Sequence, residues 1–137
     1  MSNKFKAMVL SCIDPRFQPK VFNYLKRKKL IGKYSSFTIA GAAIGVTHTK
    51  FKKWQKTFFD NLSTSIELHK INRLIVINHK DCGAAKYVNG TKKFDKINEN
   101  IIHKESFVRL KKILNKRFPK LFYEMYVMNL RGSIRKF

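Results

Sequence analysis

Three short apolar runs, Phe5 to Ile13, Ser36 to Ala40 and Leu74 to Asn78, alternate with amphipathic stretches, and this alternation constrains the fold more than any other feature of the chain. The runs lack helical spacing and are bounded by Gly, Pro or polar residues, as expected of strands buried in a sheet. Between the first two, Gln18 to Leu30 predicts a helix with Pro19 in its first turn and Val21, Phe22 and Leu25 inward. Trp54, Phe58, Leu62 and Ile66 recur every four residues from Lys50 to His69, predicting a second helix of about five turns with that stripe in the core. A short helical piece, Ala84 to Val88, precedes the turn Asn89-Gly90. The amphipathic stretch Phe94 to Phe118 then places Ile97, Ile101, Leu110, Ile113 and Leu114 inward, and Pro119 stops it. Leu121 to Leu130 is strand-like again, and Gly132 marks a turn before a last extended piece. Strands alternating with helices predict an α/β fold: a mostly parallel sheet covered on both faces and joined by right-handed crossovers. No repeat, low-complexity tract or linker interrupts residues 1–137, which read as one domain.

The chain carries 30 basic and 8 acidic residues, a net charge of +22. Most of the basic residues are Lys, scattered from Lys4 to Lys136, whereas bidentate phosphate readers favour clustered Arg. A solvated Lys-rich surface accounts for the scatter. Runs such as Lys26-Arg27-Lys28-Lys29 still allow weak, salt-sensitive binding to polyanions. The apolar stretch Ala7 to Leu10 is too short for a secretion signal or a membrane span, so a cytoplasmic protein without membrane partners is expected. Two distant cysteines in such a chain argue against a disulfide framework, which leaves Cys12 and Cys82 to be explained.

Both cysteines fall where α/β folds carry their chemistry, beyond the carboxyl ends of strands at the point where strand order reverses. Ser11-Cys12-Ile13-Asp14-Pro15-Arg16 closes the first strand, and Asn78-His79-Lys80-Asp81-Cys82-Gly83 closes the third. If those strands are neighbours, two thiols and one imidazole meet in one crevice. This is the soft sulfur and nitrogen set that zinc prefers, with a fourth position open as in catalytic sites.

The pair Cys12-Ile13-Asp14-Pro15-Arg16 and His79-Lys80-Asp81-Cys82-Gly83 resembles the signature of the β-class carbonic anhydrases, Cys-x-Asp-x-Arg at the first strand and His-x-x-Cys-Gly at the third. The order of strands and helices over most of the chain is similar to that family too. The resemblance implies a three-layer fold with sheet order 2-1-3-4, Zn2+ held by Cys12, His79 and Cys82, and reversible hydration of carbon dioxide to bicarbonate. Asp14 would orient the nucleophilic water and Arg16 would keep Asp14 ionised and in place. In part of the family this aspartate swings onto the metal and switches the enzyme off. A homodimer or higher homo-oligomer is implied as well, with the site at the subunit interface.

Two departures from the family pattern matter. The polar segment that shapes the family's substrate pocket reads Thr38-Ile39-Ala40-Gly41-Ala42-Ala43 here, which predicts a more apolar pocket lined by Ala40, Gly41 and Gly83. Such a pocket suits carbon dioxide or another heteroallene, carbon disulfide or carbonyl sulfide. Gly41 and Gly45 alternatively suggest a phosphate-binding turn, though without a full glycine fingerprint. The second departure is that the helical arm of many members is nearly absent before Phe5. His48, His69 and His103 lie on charged stretches and are expected at the surface, with proton relay as the alternative. A reading of another class follows from the charge: a zinc-stabilised basic module that binds nucleic acid.

Overall fold

A computed structural model describes residues 4–137. Expectations for residues 1–3, including the start of the domain and part of the segment where an arm would lie, fall outside the described residues. Among the described residues five strands form one sheet in the order β2-β1-β3-β4-β5. They are β1 (Ala7–Ser11), β2 (Tyr34–Thr38), β3 (Arg73–His79), β4 (Phe122–Met128) and β5 (Ile134–Lys136). The first four are mutually parallel and β5 runs antiparallel to β4, so the sheet order 2-1-3-4 holds with one edge strand added. The helices are α1 (Gln18–Arg27), α2 (Ala43–Thr47), α3 (Lys52–His69), α4 (Gly83–Asn89) and α5 (Lys96–Arg117), with a single 3-10 turn, Thr49–Phe51, before α3.

The two-residue period of the strands divides the core between two faces. Ala7 and Val9 of β1 join Ile75 and Ile77 of β3 under α1, where Phe17, Val21 and Leu25 are buried. Met8, Leu10, Leu74 and Val76 face the other way, against Phe58 and Leu62 of α3 and Phe107, Leu110 and Leu114 of α5. Each such side chain contributes about 1.5–3 kcal/mol when fully buried, so these two layers fix the sheet between its helices.

Several expected details differ. β2 begins two residues earlier than the apolar run, because an edge strand needs only one buried face and here exposes Ser36 and Thr38. Phe22 was expected inward yet is 47% exposed, since α1 buries the stripe Val21, Tyr24 and Leu25. Trp54 is 37% exposed rather than core, stacked on Phe51 with ring centroids 4.6 Å apart. Ile97 and Ile101 face solvent, Ile97 being 70% exposed, because the first two turns of α5 bury polar residues instead. α2 was not expected. Its Gly45 answers a packing need: a Cβ there would lie 2.1 Å from the Ala40 carbonyl oxygen, which explains the glycine without a phosphate. No helix among the described residues is long and apolar enough to cross a membrane.

Candidate metal centre

Parallel pairing of β1 and β3 ends with Ser11 opposite Ile77, so Cys12 follows β1 beside the last two residues of β3, Asn78 and His79. From β1 the chain crosses to β2 on one side while β3 lies on the other, and the crevice opens at that reversal. Cys82 returns to the same crevice as the residue capping α4, after a turn in which Asp81 adopts a left-handed backbone. The ligand atoms of Cys12, His79 and Cys82 all lie within 4.8 Å of one another, and all three residues are buried. The convergence inferred from the two motifs is therefore present, and both cysteines are free.

His79 Nδ1 donates to the Lys80 carbonyl at 2.8 Å, and its ring stacks on Phe17 at 4.0 Å. These contacts fix the ring and leave Nε2 as the acceptor nitrogen. Nε2 is buried with no hydrogen-bond partner among the described residues. A buried polar atom without a partner costs about 1–3 kcal/mol, and an electron-pair acceptor such as a metal ion would satisfy it. The Gly41 N–H donates to Cys12 Sγ at 3.2 Å, as expected beside a thiolate. Cys12 is drawn below the ordinary thiol range by Cys82 and, against burial, by His79 and the Gly41 N–H, while Cys82 is pushed up by Cys12 and by burial. A dication binding both sulfurs would displace the protons they carry. Donor set, burial and the orphaned nitrogen all fit a metal of zinc's preferences.

Asp14 borders the cluster, with Oδ2 3.8 Å from His79 Nε2. Arg16 donates from Nη2 to Asp14 Oδ2 at 2.7 Å and from Nε to Oδ1 at 3.1 Å, and its backbone N–H adds a bond to Oδ1 at 2.9 Å. These donors, the Arg16 side chain foremost, hold the Asp14 carboxyl at about 2. Arg16 also reaches Asp81, through Nη1 to the carboxylate at 2.9 Å and Nη2 to the carbonyl at 3.0 Å, so one guanidinium ties the two motifs together. Of the residues expected to line a pocket, Gly41 is buried beside Cys12, Ala40 is half-buried, and Gly83 is exposed in the first turn of α4.

Sequence reasoning missed a second layer. Glu99 Oε2 accepts the Cys82 backbone N–H at 3.1 Å and pairs with His103 Nε2 at 3.2 Å. His103 is 2% exposed, which overturns its expected surface position; its Nδ1 lies 2.9 Å from the Asn78 amide nitrogen. Asn78 Oδ1 accepts the Ala43 N–H at 3.0 Å. The spacing of Glu99, His103 and Ser106, one helical face, was the available signal. His48 is half-buried and caps the 3-10 turn, while His69 is exposed as expected.

The sequence model of a family described as "Putative carbonic anhydrase" matches residues 1–115. The chain belongs to that family. An uncharacterized protein of Rickettsia bellii is 27% identical to it over 135 residues, covering 98% of this chain and 82% of the relative. Among solved structures, the β-carbonic anhydrase CafA of Aspergillus fumigatus superposes with a TM-score of 0.65 at 10% identity, over 98% of this chain and 76% of that one. Tetrameric β-carbonic anhydrases of Sordaria macrospora give 0.63 at 11% identity, over 98% and 81%. At such identities the likeness is one of fold, and this member of the carbonic anhydrase family has the mixed α/β architecture of those enzymes.

Proposed function

We propose that this protein catalyses the reversible hydration of carbon dioxide to bicarbonate and a proton, with zinc held by Cys12, His79 and Cys82. The observation that carries the reading is the buried, partnerless Nε2 of His79 facing two buried sulfurs, with an ionised Asp14 at the rim. Zinc in such a site supplies Lewis acidity, which lowers the pKa of water far enough for a nucleophile to form, to roughly 7 in favourable cases. The remaining work falls to the chain. Asp14, ionised well below neutral pH, accepts a hydrogen bond from the attacking water and aims its lone pair at carbon. Arg16 holds that carboxylate by a paired contact and keeps it from turning inward. Gly41 and Ala40 bring backbone close to Cys12 and offer a small apolar wall to a linear, uncharged gas.

A second copy of the chain belongs to the same reading. Phe51 stacks on Trp54 and, at 5.7 Å, on Tyr87, which is exposed, so apolar surface remains beside α4 for a partner subunit. Sedimentation should then give a dimer or higher oligomer.

Metal analysis of the purified chain with stopped-flow hydration tests the proposal. Zinc near one ion per chain and hydration faster than buffer are expected, with zinc lost in Cys82→Ser and hydration lost in Asp14→Asn. Zinc-loaded protein no faster than buffer overturns it. Sulfide release from carbon disulfide or carbonyl sulfide in place of hydration would reassign the substrate.

A further inference from the structure

A cavity of about 540 Å³ opens on the far side of Lys80, between the loop after β3, helix α5 and strand β5. The side chains of Lys80, Lys104 and Arg135 line it on the α5 side of the sheet, and no Asp or Glu side chain does. Lys80 follows β3, Lys104 stands on α5 and Arg135 comes from β5, so the fold gathers cations that are scattered in sequence. Ion pairs are few in this chain, so what distinguishes these cations is their convergence on one concavity. Arg16 meets Asp14 and Asp81, Lys56 meets Asp60, and Arg73 meets Glu124. Among the described residues none of these three cavity cations forms an ion pair. A concave, low-dielectric wall concentrates the field of such charges more than a convex surface does.

The other walls are apolar. Val127 lines the cavity, as does Phe137, whose ring is anchored 4.8 Å from that of Phe107. The volume falls within the range of roughly 300–1,000 Å³ typical of small-molecule sites. A bicarbonate ion has only four heavy atoms, against about 30 Å³ for the single heavy atom of a water, and would leave most of it unfilled.

We infer that this cavity is a binding site for a small organic anion, with two or more charged oxygens on an apolar frame, separate from the Cys12, His79 and Cys82 cluster. The oxygens meet the ammonium and guanidinium groups in charge-assisted bonds, and the frame covers Val127 and Phe137. Carboxylates and phosphates share this chemistry. The placement on paired strands makes the site preformed: Arg135 is held opposite Val127, on the face covered by α5.

Calorimetric titration of the full chain with phenyl phosphate, phthalate, inorganic phosphate and benzyl alcohol tests the inference. One site per chain is expected for phenyl phosphate, phthalate or both, at least about tenfold tighter than inorganic phosphate, with no binding of benzyl alcohol. The difference between the two aromatic anions tells phosphate from carboxylate preference. The exposed double variant K104Q/R135Q should weaken binding about tenfold, while K26Q/R27Q, which removes equal charge at the end of α1, should change it less than about twofold. Three results overturn the inference. They are no saturable binding of either aromatic anion, inorganic phosphate binding as tightly, or equal loss in both double variants, which would assign the effect to the overall charge of +22.

Discussion

Glu99 on α5 holds Cys82 by its backbone: the carboxylate accepts the Cys82 N–H at 3.1 Å, although the two residues are 17 apart in sequence. The loop that carries one thiol of the cluster is thereby fixed to a helix packed on the sheet. Burial pushes the Glu99 carboxyl up, but His103 and the N–H groups of Cys82 and Asp81 outweigh it, so the group is held below its ordinary value and is ionised. His103 in turn stands between Glu99 and Asn78, the residue before His79.

Removing His103 should expose how much this layer matters. His103→Leu fills the space but leaves Glu99 and the Asn78 amide short of a partner, at a cost of about 1–3 kcal/mol. Glu99→Gln keeps an acceptor for the Cys82 N–H and should cost less than Glu99→Leu. Urea unfolding of the metal-free protein at neutral pH measures both. Equal midpoints for all variants and the wild type would show that the layer does not stabilise the fold.

Gly41→Ala should damage the fold and the cluster together. Gly41 has φ +81°, and a Cβ there would sit 2.8 Å from the Cβ of Ala84, against α4. Left-handed backbone costs a non-glycine residue about 1–3 kcal/mol, and the clash would shift the N–H that donates to Cys12 Sγ. A lower denaturation midpoint and weaker zinc retention against a chelator are expected. Gly83→Ala is the control, since nothing lies within 4 Å of its Cβ position.

The parts of this molecule legible in sequence are those where one physical rule acts alone. The runs Phe5 to Ile13 and Leu74 to Asn78 read as strands because both faces are apolar, and their motifs stood at the strand ends where the structure has them. The phase of α5 was misread for a definable reason. Its buried face runs Glu99, His103, Ser106, Leu110 and Leu114, one continuous helical stripe whose first two turns are polar because they lie under Asn78. Counting apolar residues therefore selects Ile97 and Ile101, on the solvent side. Trp54 misleads similarly, since it sits in the first turn of α3, beyond the reach of the sheet, and finds Phe51 instead. Neither polar satisfaction across elements nor the end of a helix's contact with a sheet is written in local periodicity.

His48 should make the protein sensitive to mild acid. Its Nδ1 accepts the Lys50 N–H at 3.1 Å, which requires the neutral ring. Burial lowers its pKa first, and the charges of Arg109 and Lys50 add to this, opposed by Glu105. The folded value lies below the unfolded one, so the unfolded state takes up the proton more readily. Stability from this residue is complete above about 6.5 and is lost as pH falls through the lower folded value. An NMR titration midpoint for His48 below 6.5, and a smaller fall in denaturation midpoint between neutral and mildly acidic pH for His48→Gln than for wild type, are expected. A midpoint above 6.5 would reverse the sign.

Arg16→Lys should separate holding the metal from using it. Arg16 grips Asp14 through Nε and Nη2 while Nη1 reaches Asp81, and a lysine ammonium has no planar fork to reproduce these contacts. Neither residue belongs to the Cys12, His79 and Cys82 cluster, so zinc content should stay at the wild-type level. Asp14, no longer held, should lose its aim, and partners of this kind typically cost about 10–100-fold in activity when removed. If Arg16 acts through Asp14, then once Asp14→Asn is present the further change Arg16→Lys should cost little, because both remove one unit. Zinc stoichiometry and kcat/KM for carbon dioxide hydration across the two single variants and the double variant decide the matter. Multiplicative losses in the double variant would mean that Arg16 acts on the reaction by a route independent of Asp14.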